Sequence, residues 1–204
     1  MNEAILILQR EHRGISAVLL GLKHLAEMAQ SERIKPEFQV FRSMLRYIDE
    51  YPEKLHHPKE DEHLFVRLVR RAPQAKAPVD ALQAEHVEGA KRIRELERKL
   101  MFFEEGGRAG AREFLQAVDA YADFHWMHMR KEETELLPLA EKHLIADDWR
   151  AIERAFAANR DPLADIEERD FQKLFTRIAN LAPAPVGLGE PWKKGPARTQ
   201  PFGE

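Results

Sequence analysis

At 204 residues, 44% of them hydrophobic, the chain can bury one sizeable core and is too short to need two full domains. A formal net charge of −3, with both signs mixed throughout, excludes a basic stripe for nucleic acid and a polybasic membrane patch. The absence of cysteine excludes disulfides, thiolate zinc sites, iron–sulfur clusters and a cysteine nucleophile, and it fits a cytoplasmic protein.

The first apolar run, Ala4 to Leu8, stops at Gln9-Arg10-Glu11. It is too short to span a bilayer and lacks the basic lead of a signal peptide, so neither a membrane segment nor an export signal is expected. From about Ala4 to Gln30 apolar residues recur at Ile5, Leu8, Ile15, Val18, Leu19, Leu22, Leu25 and Ala26, the spacing of an amphipathic helix. His12 lies inside that stripe, whereas His24 falls nearer the polar side. Ser31 to Lys35 form a polar connection, and Pro36 suits the first turn of a second helix with Phe38, Phe41, Leu45 and Ile48 inward. Pro52 and Pro58 each remove a helical N–H, which predicts a kink or break close to His56 and Glu60.

The stretch from Arg70 to Pro78 breaks the pattern. A third helix over about Val79 to Glu104 carries Leu82, His86, Ile93, Leu96 and Leu100 on one stripe. Gly106, Gly107 and Gly110 mark the turn into a fourth, about Ala111 to Lys142, with Phe114, Val118, Tyr121, His125, His128, Glu132 and Leu136 inward. Two shorter amphipathic segments follow, about Asp147 to Ala158 and Asp165 to Asn180, whose apolar faces should cap the preceding helices or make a homodimer contact. From Leu181 the chain reads as a Pro- and Gly-rich tail.

Two segments repeat one chemistry. His56-His57-Pro58-Lys59-Glu60 and His128-Met129-Arg130-Lys131-Glu132 both read His-x-x-Lys-Glu, which places an imidazole and a carboxylate on one helix face, one turn apart. Each is preceded by a further histidine, His12 by 44 residues and His86 by 42. The unit is therefore His, then His-x-x-x-Glu, used twice, which suggests two helical hairpins donating three ligands each. A single copy would read as a buried histidine or a solvated ion pair; the second copy favours a two-metal set of four imidazoles and two carboxylates. That donor set suits iron or manganese better than zinc. Pro58 could turn His57 and Asp61 onto the ligand face instead, but the internal alignment selects His56 and Glu60, because His57 aligns with Met129. His63, three residues after Glu60, would suit a ferritin-like site, which needs a second copy that the chain lacks; it reads as a supporting or surface residue. His125, one turn before His128, is a seventh ligand or a pocket group, and Tyr121 a hydrogen-bonding neighbour.

At these residues the chain resembles the hemerythrin-like, HHE cation-binding family, over roughly residues 3 to 145. The resemblance implies an all-α, up-down four-helix bundle with short C-terminal helices and an irregular tail: a bundle over 1–145, a helical extension over 146–180 and the tail over 181–204. It also implies a non-haem di-iron centre, with His12, His56, His86 and His128 as ligands and Glu60 and Glu132 bridging the ions. Two departures stand out. Oxygen-carrying members have a histidine four residues after the third-helix ligand, where this chain has Ala90, and their second carboxylate follows its histidine by five residues instead of four. Members that repair iron centres carry a cysteine-bearing N-terminal segment, and this chain has no cysteine. The expected function is binding or sensing of a small ligand, dioxygen, nitric oxide or peroxide, at open iron positions. Turnover of peroxide or nitric oxide, iron donation or iron-centre repair is the alternative, and a structural bundle without metal is the bland one.

Overall fold

A computed structural model describes residues 2–157. Helix α1 (Glu3–Gln30) starts at Asn2, whose side-chain oxygen accepts from the Ala4 N–H at 3.0 Å, so one of the four donors orphaned at a helix start is satisfied. Its apolar stripe is buried as the periodicity requires, with His12 inside it.

The second helix, α2, spans 38–71 and changes pitch along its length. It is α-helical over Phe38–Ile48, π-helical over Asp49–His56, α-helical for His57–Lys59, π-helical again over Glu60–Phe65, and α-helical over Val66–Arg71. The helix is widened around both prolines. A proline offers no N–H, and its ring collides with the carbonyl one turn back; a wider turn relieves both. The His57 N–H accordingly reaches the Pro52 carbonyl, five residues back, and the backbone at His57 and Glu60 stays right-handed helical. Pro138 has the same effect further on, where Glu132–Leu136 is π-helical and the Leu137 N–H reaches the Glu132 carbonyl.

A short 3₁₀ turn, Pro73–Ala75, leads into a helical stretch, Lys76–Lys131, that reverses at Gly107 (φ 58°, ψ −128°), a conformation open essentially to glycine alone. It forms two helices, α3 before Gly107 and α4 after it. The third helix begins a little earlier than its periodicity suggests, because Pro78 is tolerated in a first turn. Helix α4 runs on through Glu132–Leu136 into Leu137–His143.

Cross-helix contacts fix the register. Along α1 and α4 they pair Lys23 with Asp119, Ser16 with Met129 and His12 with Glu133; along α2 and α3, Arg42 with Glu104 and Asp61 with His86. Residue numbers rise on one partner as they fall on the other, so neighbours are antiparallel and the bundle is up-down-up-down.

Helix α5 (Ala146–Ala157) packs against α1 and α2, from Arg71 at its start to Lys59 and His56 at Phe156, and buries Trp149, Ile152 and Phe156. The Arg71 Nε–H donates to Asp148 at 2.7 Å and ties it to α2. The second C-terminal segment and the tail fall outside the described residues. Two apolar clusters result. One is built around Leu22, Phe41, Met44, Ile93 and Phe114, and the other around Leu8, Phe65, Leu68, Leu82, Ile152 and Phe156. Between them lies a polar layer.

Candidate metal centre

All eight buried polar or charged residues among those described belong to that layer: His12, His56, His57, Glu60, His86, His125, His128 and Glu132. The six predicted ligands are all present, one from each of α1 and α3 and two from each of α2 and α4. His56 and Glu60 keep their one-turn spacing despite Pro58, with Nε2 and Oε1 3.2 Å apart; His128 and Glu132 mirror them at 3.3 Å.

The imidazoles face each other in two pairs. His12 Nε2 lies 3.2 Å from His56 Nε2, and His86 Nε2 lies 3.2 Å from His128 Nε2. Both carboxylates span the pairs. Glu60 turns Oε1 toward His56 and His12 and Oε2 toward His86, while Glu132 turns Oε2 toward His12 and Oε1 toward His128 and His86.

The far side of every ring decides what these nitrogens can be. Nδ1 of His12 rests on Glu133 at 2.9 Å, of His56 on Glu11 at 2.7 Å, of His86 on Asp61 at 3.1 Å and of His128 on Glu85 at 3.0 Å. A carboxylate only accepts, so each Nδ1 carries the hydrogen, and in the neutral ring Nε2 presents a lone pair. Two lone pairs 3.2 Å apart, flanked by carboxylate oxygens, repel unless a proton or a metal cation lies between them. Glu60 Oε2 and both oxygens of Glu132 are buried without a hydrogen-bond partner, the state of atoms built to meet a positive charge. The donors form two groups that could hold an ion, His12, His56, Glu60 and Glu132, and His57, Glu60, His86 and His128.

Protons compete for the same atoms. Burial acts against charging His56, but Glu60 and Glu11 prevail and lift its pKa to about 9; His86 is lifted against burial to about 10 by Asp61 and Glu132. His12 and His128 move up for the same reason. Burial and Glu132 push the Glu60 pKa up, and the facing imidazoles overcome them and bring it down to about 2. His57 behaves differently: burial dominates and lowers it to about 4.

The remaining candidates separate clearly. His57 does not replace His56, since both are buried in the layer. Asp61 orients His86. His63 is outside the buried layer. His125 turns Nε2 toward Glu53 at 3.2 Å, and the Tyr121 hydroxyl donates to the same carboxylate at 2.7 Å. Glu11, Glu53, Glu85 and Glu133 were missed by the sequence reading. Three of them had a signal: the repeat extends by one acid on each motif, Glu11-His12 with Glu85-His86 and Glu60-Asp61 with Glu132-Glu133.

The hemerythrin HHE cation binding domain model matches residues 3–140. The chain belongs to the hemerythrin HHE family. No curated protein matches it. The matched span of this HHE domain covers all four bundle helices and every residue of the buried layer. Among the described residues no helix is long and apolar enough to cross a membrane.

Proposed function

We propose that this HHE protein holds two non-haem iron ions, bridged by Glu60 and Glu132, and binds a small ligand such as dioxygen, nitric oxide or peroxide there. His12 and His56 would hold one ion, and His86 and His128 the other. The observation that carries this reading is the convergence of metal-ligating side chains, two imidazole pairs and two spanning carboxylates, in an otherwise apolar interior. Six carboxylates, Glu11, Glu60, Asp61, Glu85, Glu132 and Glu133, contact the four rings. That excess of negative charge suits a pair of divalent ions. Imidazole with carboxylate and no thiolate favours iron over zinc.

Iron in such a site supplies a redox-active centre with open coordination positions. The protein's part is to orient the imidazoles through their Nδ1 carboxylates, so that each Nε2 faces the ion that would displace its proton, and to exclude bulk water with the two apolar clusters. A cavity of about 350 Å³ opens between α1 and α4, with His12, Ser16, Met129 and Glu133 in its wall. Its size suits a small molecule, and His12 is the candidate ligand in its wall.

The test is iron content together with the visible spectrum of ferrous protein before and after exposure to nitric oxide or dioxygen. Two irons per chain and a reversible spectral change are expected. Catalytic consumption of peroxide or nitric oxide in excess of iron would move the assignment to an enzyme, and protein that refuses ferrous iron would overturn it.

A further inference from the structure

We propose that His57 is a ligand in its own right, the third imidazole of the His86–His128 position, and that buried Glu53 sets the angle of its ring. The inference rests on the reading of the layer as a metal centre. A ring nitrogen of His57 and donor atoms of Glu60, His86 and His128 all lie within 4.8 Å of one another. The His57 ring stacks on His86, with centroids 4.2 Å apart and planes 8° from parallel, and its edge meets His128 at 5.3 Å.

His57 too has a carboxylate beside Nδ1, Glu53 Oε2 at 3.3 Å, and both atoms are buried with no other hydrogen-bond partner, so each is the counterpart the other has within reach. His125 differs, since it gives its Nε2 to Glu53 and belongs to neither donor group. Glu53 itself is built in: its side chain is 2% exposed, and Tyr121 donates to it. It lies in a slot left by Gly89, where a Cβ would come within 2.8 Å of Oε1. A buried carboxylate is costly to keep without a task. Glu53 stands against both His57 and His125, and orienting the ring that belongs to the donor group is the task assigned to it.

The consequence is an unequal pair. The third helix offers Ala90 one turn after His86, so it supplies no second imidazole; the second helix does so through His57, directly after the π-helical stretch that carries Glu53 and His56. The His12–His56 position would keep two imidazoles, and His12 lines the cavity between α1 and α4.

The test is Mössbauer spectroscopy with iron counting on ⁵⁷Fe-loaded wild type, His57→Ala, Glu53→Gln and Gly89→Ala. The wild type should hold two irons with two distinct doublets of equal area. His57→Ala should shift or lose one doublet, leave the other in place, and regain the lost signal with added imidazole. Glu53→Gln and Gly89→Ala should perturb the same doublet and weaken that iron about 10–100-fold. If His57→Ala fails to fold, as judged by circular dichroism, the Glu53→Gln and Gly89→Ala spectra carry the test. Two irons in the wild type with unchanged doublets in every folded variant would overturn the role of His57 alone. A wild type that takes up no iron would instead overturn the metal-centre reading beneath it.

Discussion

Glu133→Gln separates a metal centre from a merely buried histidine cluster. Glu133 holds Nδ1 of His12 at 2.9 Å, yet its side chain is 38% exposed, so the pair is screened by solvent and contributes little to folding by itself. Its effect on a metal is larger, because the amide no longer strengthens or fixes the imidazole, and losses of about 10–100-fold in affinity follow from such changes. With free iron at about 100 times the dissociation constant, one site adds about 2.7 kcal/mol of stability, which falls to about 0.4–1.4 kcal/mol after that loss. The melting temperature of the iron-loaded variant should therefore drop by roughly 3–9 °C relative to loaded wild type. The metal-free proteins should melt within about 1–2 °C of each other. Thermal melts with and without iron, paired with chelator competition, measure both numbers. Equal affinity in variant and wild type, or equal destabilisation with and without iron, would refute the reasoning.

Three further outcomes follow. His56→Ala and His128→Ala should each lower iron content by at least one per chain while helical circular dichroism is retained; unchanged iron content would place the ligands elsewhere. Gly107→Ala forces a side chain into φ 58°, ψ −128° and should cost about 1–3 kcal/mol in a denaturant melt without altering iron stoichiometry. Iron uptake at pH 7 should release protons, and affinity should climb with pH toward 9 to 10, because His56 and His86 have pKa values of about 9 and 10 without metal. By the same linkage, the stabilisation these raised histidines give the metal-free fold is fully present below their ordinary value of about 6.5 and fades as pH rises through 9 to 10. Calorimetry in buffers of different ionisation enthalpy reads the proton release, and uptake that releases none would contradict the donor assignment.

Much of the fold and of the donor set was legible because both rest on periodicity. The amphipathic stripes located the bundle helices, and histidines on apolar stripes stood out once the repeat paired them. What stayed hidden depended on shape. Widening of α2 around Pro52 and Pro58 is a change of pitch that the prolines alone do not specify. Glu53 aligns with His125 in the second hairpin, a different residue type, so its partnership with His57, His125 and Tyr121 becomes visible only when the second and fourth helices face each other across the core. Glu11, Glu85 and Glu133 look like ordinary surface acids in a chain with 35 acidic residues, and only their positions beside the motif residues set them apart.

The most direct measurement is the iron bound per chain in freshly purified protein reconstituted with ferrous iron, compared with a His86→Ala variant. Two ions in the wild type, with fewer in the variant, are expected of a centre built on two imidazole pairs and two spanning carboxylates. No uptake by the wild type, or a variant that binds as much as the wild type, would contradict it.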